Sequence, residues 1–191
     1  MPFHVDRFRI SFRETTGKNA TSALGIRFSE YKSIKTPGGK ANFIKKLMDR
    51  LLAKYPKRVA SKVMLECGHM MRDGVSRCIN EHKIKRTRAL FAGSRNMKDF
   101  LEKFSKHSGG KLRLEGHSII ATYHRCYCGS VSRTKDKIPL TYCYCGAGWY
   151  KRLFEEVLGN PVRVDVVQSI ASGADTCVLR ITGVKSRHWT N

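Results

Sequence analysis

The sequence predicts an α+β chain: a helical N-terminal half followed by a β-β-α-β-β unit. Three observations predict it. Between residues 40 and 67, apolar positions recur every three to four residues, the period of a helix laid on a core. After residue 110 the chain changes to short runs rich in β-branched and aromatic residues. Gly- and Pro-bearing stretches at 36–40, 108–110 and 159–161 separate these segments.

Residues 1–35 carry the weakest pattern, and "RFRISF" (7–12) alternates in the manner of an edge strand. "TPGGK" (36–40) is a turn. A helix follows on Phe43, Ile44, Leu47, Met48, Leu51, Leu52 and Tyr55, and Pro56 ends it. A second helix holds Val59, Val63, Met64 and Cys67 and closes near Gly68. Ser94 reads as the N-cap of a third, with Met97, Phe100, Leu101 and Phe104 inward. "KLRLEGHSIIATYHRCYC" is strand-like with a break at Gly116. The helix in "GWYKRLFEEVLG" points Tyr150, Leu153, Phe154, Val157 and Leu158 one way, with Gly159 after its last turn. "PVRVDVVQSI" and "TCVLRITGV" are the final two strands. The organisation is thus 1–110, mostly helical, and 111–191, the β-β-α-β-β core, in one compact domain.

Composition narrows the function classes. No apolar run nears the ~18 residues a membrane span needs, and the first residues lack the apolar stretch of a signal peptide, so the expected compartment is the cytoplasm. The net charge of +22 is spread along the chain and attracts polyanions. Its densest cluster, Lys83, Lys85, Arg86 and Arg88, gives an alternative reading as a nucleic-acid-binding module.

Four of the seven cysteines fall in two copies of C-Y-C-G, as Cys126 and Cys128 and as Cys143 and Cys145. In a reducing compartment such clustering points to metal ligation or thiol chemistry more than to disulfides. On an extended strand, both cysteines of a pair face one way and the tyrosine between them the other. If the two pairs meet, four thiolates converge, and a divalent cation relieves their repulsion; tetrahedral zinc is the common outcome. An iron–sulfur cluster uses the same ligands. Cys67, Cys78, His69 and His124 are reserve ligands. Cys145, near a helix start with basic neighbours, equally suits a reactive thiol, so a thiol-dependent hydrolase or reductase stays open. Gly146 and Gly148 give a ligand room at that helix start, with Trp149 beside them; close packing through small residues is the alternative. Cys177, in the last strand, reads as a core residue.

The stretch "CGAGWYKRLFEEVLGNPVRVDVVQSIASGADTCVLRITG" (145–183) resembles the 4-vinyl reductase type of domain. The resemblance rests on Gly146, Gly148, Leu158, Gly159, Pro161, Val162, Val164, Gly173 and Cys177. It implies helices packed on an antiparallel sheet. It also implies a small-molecule-binding module, often with a cysteine-bound metal, and no defined enzyme. The expectation is therefore a zinc-binding sensor or carrier for a small, anionic ligand, with homodimerisation left open.

Overall fold

The structure, a computed structural model, describes residues 3–70, 79–132, 134 and 136–185. Its described elements are helices and one four-stranded antiparallel sheet, an α+β fold. Every described strand follows residue 110, and the β-β-α-β-β order is the one the sequence predicts.

Helix α1 (Val5–Thr16) replaces the strand expected at "RFRISF". Its buried side chains, Val5, Phe8 and Phe12 among them, sit at helical spacing, and the alternation of Arg with apolar residues was coincident with it. Two short helices, α2 (Ala20–Leu24) and α3 (Ser29–Ser33), lead to α4 (Pro37–Lys54). Here the "TPGGK" turn is a helix start. Thr36 accepts a hydrogen bond from the Gly39 N–H at 3.1 Å, and Pro37 fits the first turn, where no intrahelical donor is needed. Helix α5 (Lys57–His69) runs one residue past Gly68. Ser11 of α1 donates to the Val63 carbonyl of α5 at 2.6 Å. These helices enclose one apolar core, built on Phe8, Phe12, Ile44, Leu47, Met48, Leu51 and Met64.

The second core forms between helices and sheet. Helix α6 (Glu81–Ala92) precedes α7 (Met97–Ser108), whose N-cap is Asn96; the Ser94 hydroxyl instead donates to the Leu90 carbonyl at the end of α6. Strands β1 (Lys111–Glu115) and β2 (Ser118–Tyr123) make a hairpin, followed after a long connection by α8 (Tyr144–Leu158). Strands β3 (Arg163–Gln168) and β4 (Cys177–Thr182) close the sheet in the order β1-β2-β4-β3. Leu112, Ile119, Ala121, Val164, Val166, Leu179 and Ile181 face Phe100, Phe104, Leu153 and Phe154 of α7 and α8. On the other face the register sets Arg113, Ile120, Arg180 and Asp165 in a row.

The cores do not divide at residue 110. Helices α1–α5, with Val131, Ile138 and Tyr142 of the connection before α8, build the first, α6–α8 and the sheet the second, and Cys143 and Tyr144 touch both. The junction is a crossing of α5 and α8 through two glycines. A Cβ on Gly68 would stand 1.9 Å from the Cys145 carbonyl oxygen, and one on Gly148 would stand 1.9 Å from the Leu65 carbonyl oxygen. Only the absence of side chains lets the two backbones come so close.

Candidate functional site

The first C-Y-C does not lie in a strand. β2 ends at Tyr123, and Cys126 and Cys128 follow in irregular chain. The second is helical. Cys143 closes a 3-10 turn (Leu140–Cys143) and Cys145 lies in the first turn of α8. The i, i+2 argument for a shared face therefore fails at the second pair, because in a helix such residues point apart.

All four cysteines nonetheless line one cavity of about 400 Å³. It opens at the sheet end where β2 and β3 finish and β4 begins, between the two cores. Tertiary placement does what local periodicity could not: the connection after β2 and the helix start of α8 come together at the sheet end. Cys177 is on the same wall. It was expected in the core but is only partly buried, and it accepts a hydrogen bond from the Ile170 N–H at 3.4 Å.

Aromatic rings frame the thiols. Tyr123, Tyr142, Trp149 and Tyr150 all line the cavity. Trp149 and Tyr150 meet edge to face with centroids 5.1 Å apart, and the Tyr123 and Tyr150 hydroxyls are hydrogen-bonded. Cys128 bonds the Tyr142 hydroxyl at 3.0 Å, and Cys143 bonds the Ser169 hydroxyl at 2.9 Å. Two cations enter the wall. Arg125 lies 4.5 Å from the Tyr127 ring centroid, and Lys83 of α6 has its pKa lowered by burial and by Arg86.

Burial governs the thiols whose titration is perturbed. Desolvation pushes Cys143 up to about 12, partly offset by the Ser169 hydrogen bond, and raises Cys126 for the same reason. Cys126, Cys128 and Cys177 all stand within electrostatic reach of Cys143. The donors have the soft chemistry a thiophilic ion prefers. As their side chains stand, no three Cys, His, Asp or Glu groups among the described residues surround a common metal position.

The other predicted residues separate. Gly146 lines the cavity with open space above its Cα, whereas Gly148 is spent on the α5 crossing. Cys67 is fully buried in the first core. His69 bonds Glu155 at 2.8 Å and pairs with Glu66 at 3.6 Å. His124 is exposed and off the cavity wall. Cys78 lies outside the described residues. Of the α6 cations, Lys83 turns to the cavity and Arg88 pairs with Glu156 and its carbonyl, while Lys85 and Arg86 are exposed. They form no single stripe.

Sequence reasoning missed Ser169, Tyr142 and the role of Cys177. The alternation around Cys177 marked a strand, but nothing local said that its end would open into a cavity. Among the described residues no helix is long and apolar enough to cross a membrane. No curated protein matches the chain. A family model described as a family of unknown function, DUF6144, matches residues 12–189, and the chain belongs to that family.

Proposed function

We propose that this member of DUF6144 is a small-molecule-binding protein, a sensor or carrier, whose ligand enters the thiol-lined cavity and whose thiols recruit zinc. The observation that carries the reading is the gathering of Cys126, Cys128, Cys143, Cys145 and Cys177 on one cavity among aromatic rings. Its volume is that of a small-molecule pocket, and its walls are mainly apolar with few polar groups, as such sites usually are. Lys83 and Arg125 at the wall suit an anionic group on that ligand. The resemblance to the 4-vinyl reductase type of domain supports the same reading.

Zinc would draw on Cys126, Cys128 and Cys143, with Cys145 or Cys177 completing the set after side-chain rotation. It would supply charge neutralisation for thiolates that burial otherwise keeps protonated. Two alternatives have less support. A nucleophilic thiol needs a depressed pKa; Cys126 and Cys143 are shifted the other way, which leaves Cys145 in the first turn of α8 as the candidate for that reading. Nucleic-acid binding through α6 loses Arg88 to Glu156 and Lys83 to the cavity.

The test is metal analysis of protein purified without chelator, beside the variant with all five cavity cysteines changed to serine. We expect about one zinc per chain in the wild type and loss in the variant. Less than roughly 0.3 zinc per chain, with every thiol titratable, removes the metal. The cavity is tested separately by quenching of Trp149 fluorescence on titration with an apolar anionic probe such as anilinonaphthalene sulfonate, read against W149F. No saturable difference between the two proteins removes the ligand.

A further inference from the structure

A second cavity lies at the opposite end of β3, with a volume of about 540 Å³. One wall is the face of α5 that carries Lys57, Arg58, Ser61 and Lys62, residues at helical spacing on two successive turns. Lys151 of α8 and Arg163 of β3 supply the other walls. Five cations thus border one concavity, against a single lining carboxylate, Asp165.

The acids nearby are already engaged. Asp165 binds Arg163 at 2.9 Å, and Glu155 binds Lys151 and His69. Lys57, Arg58 and Lys62 have no ion pair among the described residues. They also stand in the first turns of α5, which has no acidic residue in its first turn and no side-chain cap. Cations are disfavoured at that positive helix end, so local stability does not explain them there. Leu65, Val162, Val164 and Tyr144 add apolar and hydroxyl surface, giving room for more than a bare anion.

We infer that this cavity binds a phosphate-bearing small molecule, of nucleotide size and multiple negative charge. Its cations would contact the phosphates and its apolar side the remainder. The site is separate from the thiol cavity, so the inference does not depend on the function proposed above.

The experiment is calorimetric titration with inorganic pyrophosphate at fixed physiological ionic strength, where diffuse attraction is screened. The variant is R58E/K62E. Both side chains are exposed, and an acid near the start of α5 favours the helix, so the fold is retained. The control reverses two exposed cations elsewhere, K18E/K35E. We expect saturable binding that weakens at least about tenfold in R58E/K62E and stays within about twofold in the control. It should be unchanged when the five cavity cysteines are serine. Absence of saturation, or equal weakening by both charge reversals, overturns the inference. So does a result in which only a single- or double-stranded oligonucleotide binds and R58E/K62E abolishes that, since the face would then serve nucleic acid.

Discussion

At the scale of single residues, the thiols are where placement and chemistry pull apart. A helix start and basic neighbours suggested a thiolate at Cys145, and its neighbour in the second C-Y-C is governed differently. At Cys143 the larger effect is burial: the cost of a charge in a poorly solvated wall holds the thiol pKa near 12. A thiol that titrates so high contributes almost no thiolate at pH 7 and reacts slowly. Metal-free protein treated with iodoacetamide at pH 7.5 should therefore show Cys143 alkylated more than about tenfold slower than a free model thiol, and Cys126 slowed in the same direction. Peptide mass mapping over time reads each site. Rapid labelling of Cys143 would show a thiolate that the buried, Ser169-bonded geometry does not provide. By the same chemistry, the proposed zinc uptake would release protons, because the ligand is the deprotonated form. The cysteines were legible as a group in the sequence. Their shared cavity was not, because it depends on where β2, α8 and β4 end relative to one another.

At the scale of elements, the crossing of α5 and α8 fixes where those ends fall. Gly68 and Gly148 meet the partner helix through backbone atoms, which cannot rotate away as side chains can. Gly148→Ala should cost about 3 kcal/mol, the upper part of the range for overpacking. For a chain of this size that lowers the melting temperature by roughly 6–12 °C. Gly146→Ala, where a Cβ meets open space, should change the stability by less than about 1 kcal/mol. Thermal unfolding of the two variants side by side checks this, and equal effects would mean the crossing is not the constraint described. Small residues at a helix start were visible in the sequence, and both packing and ligand access were open to them. The structure divides the pair, with Gly148 at the crossing and Gly146 at the cavity. The β-β-α-β-β order was legible because the hydrophobic period changes at residue 110. Helix α1 was not, since "RFRISF" satisfies a period of two as well as the i, i+4 pairing of Phe8 with Phe12.

At the scale of the whole molecule, two cores must unfold together or separately, and the link between them decides which. Besides the glycine crossing and the shared Cys143 and Tyr144, the link includes a polar network. His69 on α5 faces Glu66 on its own helix and Glu155 on α8; Glu155 is held by Lys151 and accepts from the Val162 N–H at 3.2 Å. The hydrogen bond to Glu66, then the bond and charge of Glu155, outweigh desolvation and raise the His69 pKa above its ordinary 6.5. The carboxyls of Glu66 and Glu155 are lowered below 4.5. For a raised histidine, the stabilisation is complete below about pH 6.5 and fades as pH rises through the native value. For the lowered carboxyls it is complete above about pH 4.5 and fades as pH falls through their native values. The network is therefore strongest between these limits. His69→Gln keeps a neutral hydrogen-bonding group and removes the charge. It should cost about 1 kcal/mol at pH 6, a partly buried charge-assisted bond, or roughly 2–4 °C in melting temperature. The gap between wild type and variant should narrow as pH rises through the native pKa of His69, where the charge that the variant lacks is lost from the wild type as well. A gap that is constant from pH 6 to pH 9 would show that the histidine joins the cores by packing alone. If the network does couple the cores, both proteins should melt in a single transition at pH 6. At that pH the variant, with the link weakened, should show the broader one.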